Sequence, residues 1–551
     1  MASNKIQIYQ IFTRLYGNRN TTRKENGSLA ENGCGKMNDF TPAALKKIRA
    51  MGVSHIWYTG IIRHATQTDY TQFGIPRQHP AVIKGMAGSP YAITDYYDVD
   101  PDLAVDVSNR MQEFEALIER THKSGLKVII DFVPNHVARQ YRSICKPVGV
   151  KDLGEEDNPQ SGFDPQNNFY YCPGQRFTPY FDLYHGCEEP YVEEPAKATG
   201  NDCFHNAPGM NDWYETVKLN YGVDYYAGRV GHYKPIPNTW DKMTDILLFW
   251  AAKGVDGFRC DMAEMVPAAF WHWATDKVKY RYPEIIFVGE VYNPSEYRNY
   301  LGAGFDYLYD KVGMYDTLRD VMCGRQSVHA ITAAWQQTDD IRQHMLYFLE
   351  NHDEQRIASS FFAGDARKGI PALVVSALLQ QNPLMIYFGQ EYGERGMDKE
   401  GFSGQDGRTT IFDYWSVDTI VRAANRKYTI REKFVFDIYN KVMNIAAAEK
   451  AVASGLTFDL MYVNGQLQRQ YAFLRKAGAE TLLVVANFDD IPTLLNINIP
   501  AHAFDYLNIK EKNTIATDLL SGEKQKLLLK RNEAVPLEVQ PLSALVLKFK
   551  V

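Results

Sequence analysis

GVDGFRCDM, residues 254–262, is an apolar strand that runs into a carboxylate, and IIFVGEVY (285–292) repeats that plan one unit later. LENHDE (349–354) closes a third such run. Asp261, Glu290 and Asp353 are thereby placed at three strand ends. Side chains alternate along a strand, so Arg259 and Asp261 share one face and Cys260 points to the other. Asp261 and Glu290 are 29 residues apart, close to the ~31 expected per unit of an eight-unit barrel of about 250 residues.

The same texture extends in both directions. Strand-like runs are IQIYQIF (6–12), SHIWYTG (54–60), KVIIDFV (127–133), GVDGFRC (254–260), IIFVGEV (285–291), FDYLYD (305–310), MLYFLE (345–350) and LMIYFG (384–389). Amphipathic helices separate them, such as PAALKKIRAM (42–51) and SNRMQEFEALIERTHKSG (108–125). Eight strands with intervening helices predict an α/β fold, a (β/α)8 TIM barrel. From Asp131 to Asp261 is 130 residues, too long for one unit, so an insertion follows strand three. The expected division is a barrel over 1–136 and 213–451, an inserted irregular domain over 137–212, and an antiparallel β-sandwich over 452–551.

Composition narrows the partners. The net charge of −6 gives no reason to expect nucleic acid or an anionic membrane. No stretch approaches 18 apolar residues, so no membrane span is expected. The N-terminus lacks a charged region followed by an apolar one. The expected compartment is the cytoplasm, or a secreted or periplasmic location if a signal peptide has been removed. The seven Cys (34, 145, 172, 187, 203, 260, 323) include no CxxC pair, and reduced thiols are expected. One disulfide among Cys172, Cys187 and Cys203 stays open. Aromatics at 13% suit stacking on sugars, although most aromatics in any protein are core.

Carboxylates converging on the C-terminal face of a barrel imply cleavage of glycosidic bonds. Arg259 beside Asp261 favours an ionised, nucleophilic carboxylate. Glu290 follows an apolar strand, where desolvation suits a proton donor. Three close carboxylates repel, so at least one holds a proton near neutral pH. The competing reading is a structural ion-pair cluster, but clustered buried acids cost free energy. DFVPNH adds Asp131, Asn135 and His136 at the end of strand three, and His136 and His352 can hydrogen-bond sugar hydroxyls. Tyr170, Tyr171, Tyr180, Trp213 and Tyr214 are either sugar platforms or the core of the small domain.

DFVPNH, GFRCDM, FVGEVY and LENHDE resemble, in order, the four signature segments of the α-amylase family, glycoside hydrolase family 13. GSPYAITDYYDVDP (88–101) and PLMIYFGQEYGE (383–394) resemble its segments at strands two and eight. The resemblance implies a retaining hydrolase of α-1,4-glucosidic bonds in starch-like α-glucans or maltooligosaccharides. Asp261 would be nucleophile, Glu290 acid/base, and Asp353 the holder of the distorted ring. Tyr91, His136, Arg259 and His352 would contact the sugar, and Asp131 would be structural. The alternatives are a transglycosylase or isomerase of the family, or a hydrolase of pullulan or cyclodextrins; a catalytically dead binding member is disfavoured by the intact acids. Many members hold a structural calcium near the Asn matching Asn135. In TVKLN (216–220) Lys218 stands where those members have Asp, so no metal or cofactor is expected. Glu264 and Met265 replace their Lys-His, and the KLN form resembles the neopullulanase and cyclomaltodextrinase branch.

Overall fold

The computed structural model describes residues 5–183, 189–397 and 399–550. Eight parallel strands close into a barrel: β1 (Gln7–Phe12), β2 (His55–Thr59), β3 (Lys127–Phe132), β4 (Gly257–Cys260), β5 (Ile286–Gly289), β6 (Tyr307–Tyr309), β7 (Met345–Phe348) and β8 (Leu384–Tyr387). β1 hydrogen-bonds to both β2 and β8, which seals the ring. Each lies within the run expected of it, trimmed by up to three residues at either end. Both faces are buried, as continuous Val/Ile/aromatic runs require in a parallel sheet. Ile8, Trp57, Ile129, Val288, Leu346, Phe348 and Met385 cluster on one face, in the lumen. Their neighbours Tyr9, Ile56, Tyr58 and Ile130 join the large outer core against the helices.

Helix α1 (Pro42–Ala50) starts where Thr41 caps the Ala44 N–H and Pro42 needs no partner. Helix α2 (Arg110–Lys123) buries Phe114, Leu117, Ile118 and Thr121, the i, i+3, i+4, i+7 face. Helix α3 (Asn238–Ala252) precedes β4 and α4 (Ala268–Arg281) follows it, and the two pack together. Helix α5 (Gly369–Leu378) is buried along its whole length.

Between the short strand His136–Ala138 and its antiparallel partner Thr216–Lys218, the chain forms one further two-residue pairing, Tyr171–Cys172 with Ala196–Lys197. No α-helix occurs there among the described residues. Tyr170, Tyr171 and Tyr214 are buried, whereas Tyr180 is exposed. Cys172 and Cys203 are free thiols, and Cys187 lies outside the described residues.

After two more helices (Asp418–Ala424 and Ile430–Ala448), an antiparallel sheet of six strands begins at Leu456. A two-stranded sheet, Thr493–Asn498 with Ala534–Val539, accompanies it. The runs LTFDLMYV, LQRQYAFLRKA, TLLVVANF, TLLNINI, QKLLLK and ALVLKFKV read as the strands of this sandwich, and the structure adds two more strands and the helix Ala501–Leu507. Ala534–Val539 contains Pro536, which argues against a strand. Lys512–Asp518 is mostly polar and only partly buried. The C-terminal sheet is clamped to the barrel through the end of α5. Lys5 Nζ donates to Ala377 O (2.6 Å) and Gln380 O (2.9 Å), while Arg475 donates to Leu379 O (2.8 Å), Ala451 O (2.9 Å) and Val452 O (2.7 Å). Two buried cations at a helix C-terminus match its dipole and satisfy carbonyls that have no helical partner. No helix of the described residues is long and apolar enough to cross a membrane.

Candidate active site

Arg259 leaves β4 on the lumen side, and its guanidinium organises the acids. Nη1 lies 2.5 Å from Asp261 Oδ1 and Nη2 lies 2.9 Å from Glu290 Oε2. Asp131 (3.7 Å) and Asp353 (4.0 Å) are at the edge of the same cation. Cys260 turns into the outer core, as alternation requires. Arg259 is 1% exposed and is itself held by Tyr309 Oη, which accepts from Nε at 3.2 Å. Nothing in the spacing of the signature runs points to that tyrosine.

Glu290 is fixed from two further directions. The backbone N–H of Met262 donates to Oε2 (2.7 Å), and Tyr292 Oη donates to Oε1 (2.7 Å). Met262 adopts a left-handed φ of +43° directly after Asp261. A non-glycine residue pays for that conformation, and here the turn aims its N–H at Glu290. Glu264, expected only as a departure from the family, accepts the N–H groups of Tyr292 and Asn293 at 3.0 Å each. It anchors the segment after Glu290.

On the opposite wall, Tyr91 stacks on His352 with ring centroids 5.2 Å apart. Its hydroxyl meets His352 Nε2 at 2.5 Å, while Gln10 Nε2 lies 2.8 Å from Nδ1. His352 Nε2 also lies 3.1 Å from Asp353 Oδ2. Asp131 accepts from Trp57 Nε1 (3.0 Å) and stays against Arg259. His136 packs beside Trp213, with ring centroids 5.2 Å apart. Tyr91, His136, Asp261, Glu290 and Asp353 line one cavity of about 270 Å3, joined by Lys84, Trp213, Glu215, Tyr292 and Phe412. Lys84 and Glu215 lie outside the signature runs, and no periodic pattern marks them.

Burial dominates the protonation chemistry. It pushes the Asp353 carboxyl up to about 7, with Glu290 adding to the rise and Arg259 opposing it. Asp131 rises to about 6 by burial, against Arg259. Asp261 is raised well above the carboxylate range by burial, with Arg259 opposing and Glu290 and Asp353 adding. Arg259 thus favours the ionised form of Asp261, as expected from their spacing, while burial opposes it. One guanidinium faces four acids, so the cluster as a whole retains protons. Burial, helped by Lys218 and Lys84, lowers His136 to about 3. Burial and Arg259 lower His352 well below its usual range. Both rings are neutral at pH 7.

Lys218 reaches the gap beside this site. Its Nζ donates to Asn135 Oδ1, lies 2.7 Å from Asp202 Oδ1 and is 3.5 Å from Met265 O. These are the oxygens a calcium ion would need, and an ammonium already sits among them. A divalent cation does not fit this set of residues.

A family model described as "Alpha amylase, catalytic domain" matches residues 10–435. The chain is 23% identical over 465 residues to Alpha-amylase 3 of Dictyoglomus thermophilum, covering 80% of this chain and 82% of that protein. It is 24% identical over 434 residues to Cyclomaltodextrinase of Thermoanaerobacter pseudethanolicus, covering 76% of this chain and 62% of that one. It spans 54% of Alpha-amylase MalA of Haloarcula japonica. Among solved structures, a maltogenic alpha-amylase from Thermotoga neapolitana superposes with TM-score 0.63 at 20% identity, covering 99% of each chain. The alpha-amylase of Geobacillus thermoleovorans complexed with acarbose superposes at 0.66 and 18% identity, covering 99% of this chain and 98% of that one.

Proposed function

The chain belongs to the α-amylase family and is a glycoside hydrolase, and from that premise we propose that Asp261, Glu290 and Asp353 carry out a retaining cleavage of α-1,4-linked glucosides. The observation that supports these roles best is that Asp261 and Glu290 share one guanidinium, at 2.5 and 2.9 Å. Two carboxyl groups on neighbouring nitrogens of one guanidinium suit the double-displacement geometry, in which the pair is ~5–5.5 Å apart.

Asp261 attacks C1 of the bound sugar as Glu290 gives its proton to the departing glycosidic oxygen. The C1–O bond breaks, and a glycosyl ester to Asp261 forms. Glu290, now a carboxylate, takes a proton from water, whose oxygen attacks C1 and frees Asp261. The Met262 N–H and the Tyr292 hydroxyl stabilise Glu290 in that second, ionised form. Arg259 holds Asp261 in line and draws negative charge onto the attacking carboxylate. Asp353, beside neutral His352, takes sugar hydroxyls. Tyr91 offers the apolar face under the ring, and His136 a neutral partner for a hydroxyl.

The substrates named for the relatives include those of a neopullulanase and a cyclomaltodextrinase, which supports α-glucan chemistry without choosing among the glucans. No calcium takes part, because Lys218 supplies the positive charge in that gap. The test of the assignment is Glu290→Gln. The amide keeps the shape and removes the proton, so turnover on maltooligosaccharides should fall about 10³-fold or more. Near-normal turnover would overturn it. Products longer than the substrate would show that a sugar outcompetes water as acceptor and would favour the transglycosylase reading.

A further inference from the structure

We propose that Gln10 is a positioning residue for this hydrolysis: its side-chain amide donates to Nδ1 of His352 and so keeps the ring's one proton on Nε2, facing Tyr91 and Asp353. The inference rests on the hydrolase reading of the same site and adds to it a residue that lines no part of the cavity.

Gln10 is held deep in the barrel. β1 pairs it in register with Trp57 on β2 and Tyr387 on β8, and its backbone carbonyl accepts the Phe388 N–H at 2.9 Å. Alternation puts its side chain on the face of Ile8, which belongs to the lumen cluster. The residue is fully buried. Its Nε2 lies 3.1 Å from Thr59 Oγ1 and 2.8 Å from His352 Nδ1, so both amide protons have a partner. Its Oε1 has none among the described residues. An apolar side chain of the same length would spare the fold that unpaired oxygen. What the amide contributes is therefore at its nitrogen.

His352 cannot turn to suit other partners. Tyr91 stacks on it with centroids 5.2 Å and planes 24° apart, and Trp57 meets it edge-on at 5.6 Å and 87°. Burial and Arg259 keep the ring neutral, so it carries one proton. Nε2 lies 2.5 Å from Tyr91 Oη and 3.1 Å from Asp353 Oδ2. An ionised carboxylate only accepts, and a bare Nε2 would set a lone pair against it. A protonated Nε2 leaves Nδ1 bare, in need of a donor, and the Gln10 amide is that donor. Which ring nitrogen holds the proton is set by the bond the other one makes. The chain then runs one way. Gln10 donates to His352 and His352 to Tyr91, which leaves the Tyr91 hydroxyl proton for Asp131 Oδ1 at 3.5 Å, beside Arg259. Tyr91 and Asp353 both line the catalytic cavity. A residue behind the cavity thus sets the polarity of two groups inside it.

Two measurements test this, and the first needs no change at Gln10. In protein labelled with 15N-histidine, the His352 signals are those lost in His352→Asn. At pH 7 they should report a bare Nδ1 and a protonated Nε2, and a proton on Nδ1 would overturn the proposal. The second is a double-mutant cycle on maltoheptaose. Gln10→Met keeps the length and removes the donor. Its kcat/KM should fall about tenfold in the parent but less than about twofold in the His352→Asn background, because Gln10 acts through that ring. Equal losses in both backgrounds would make Gln10 a merely structural residue and end the assignment. No cleavage by the parent would instead defeat the hydrolase reading, and the ring proton would then decide alone whether Gln10 sets the tautomer.

Discussion

Lys218→Ala tests the idea that an ammonium does the work of a metal ion beside the catalytic site. Lys218 is 2% exposed and joins Asn135, Asp202 and the Met265 carbonyl. Removing one partner of a fully buried pair costs about 3–5 kcal/mol. The Asp202 side chain is 23% exposed, so water recovers part of that loss, and about 2–3 kcal/mol is expected. The melting midpoint should fall by several degrees. Activity should fall with it, since Lys218 pairs in register with His136. Lys218→Asp goes further, replacing the ammonium with a carboxylate among oxygens that Ca2+ accepts at about 2.3–2.6 Å. Millimolar calcium should then raise the midpoint of the variant, by about 2.7 kcal/mol at a hundredfold excess over Kd, and leave the native protein unmoved. The assay is a thermal melt of each protein with EDTA, then with calcium. A native midpoint that drops on chelation, or a Lys218→Ala variant as stable as the parent, would refute the reasoning.

Other consequences are independent of that gap. Tyr292→Phe removes one of the donors on Glu290 and should lower kcat/KM about tenfold, the worth of a hydrogen bond to a charged group, with an unchanged melting midpoint. Arg475→Met strands the carbonyls of Ala451 and Val452 at the junction with the C-terminal sheet and leaves that of Leu379 to the Thr457 hydroxyl alone. It should cost at least about 3 kcal/mol by denaturant titration. Burial raises Asp100 to about 7 and Asp102 to about 6. The folded state thus binds protons the unfolded chain has already released, and these two groups make stability fall as pH rises from about 4 to 7. Asp102→Asn should flatten that slope in melts run across the window, and an unaltered slope would assign it elsewhere.

The barrel was legible because its signal is periodic. Eight apolar runs spaced by amphipathic helices leave few alternatives, and each strand appears within its run. The acids were legible for a related reason, since a carboxylate at the end of a buried strand is conspicuous. What the sequence could not carry is contact between residues far apart in the chain. Lys84 and Glu215 meet across 131 positions and Gln10 and His352 across 342, and neither pair has a local pattern. The strand at Ala534–Val539 was hidden by its proline, and Lys512–Asp518 by its polar surface. The pull of Arg259 on Asp261 was legible in their spacing, but the burial that opposes it is a tertiary property.

The charge balance around Arg259 connects the fold to the chemistry. A barrel lumen filled by Ile, Val, Trp and Phe cannot solvate the buried Asp131 and Asp261 carboxyl groups, so the site keeps protons that an exposed cluster would lose. In the proposed mechanism that excess is useful, because the first step needs a protonated Glu290 and the second an ionised one. Arg259 alone would favour only the ionised forms, and burial alone only the protonated ones. The site places one fixed cation between the two residues that change charge in opposite senses. As Asp261 becomes an ester its negative charge disappears, and as Glu290 loses its proton a charge appears 2.9 Å from the other nitrogen of the same guanidinium. The charge next to Arg259 is therefore nearly constant through the first step, and the surrounding dipoles need little reorganisation. On this argument Arg259→Lys should be far from conservative. A single ammonium cannot bridge both carboxyl groups, and turnover should fall by about two orders of magnitude or more. A Lys variant with near-native turnover would show that the shared fork is not what couples the two acids.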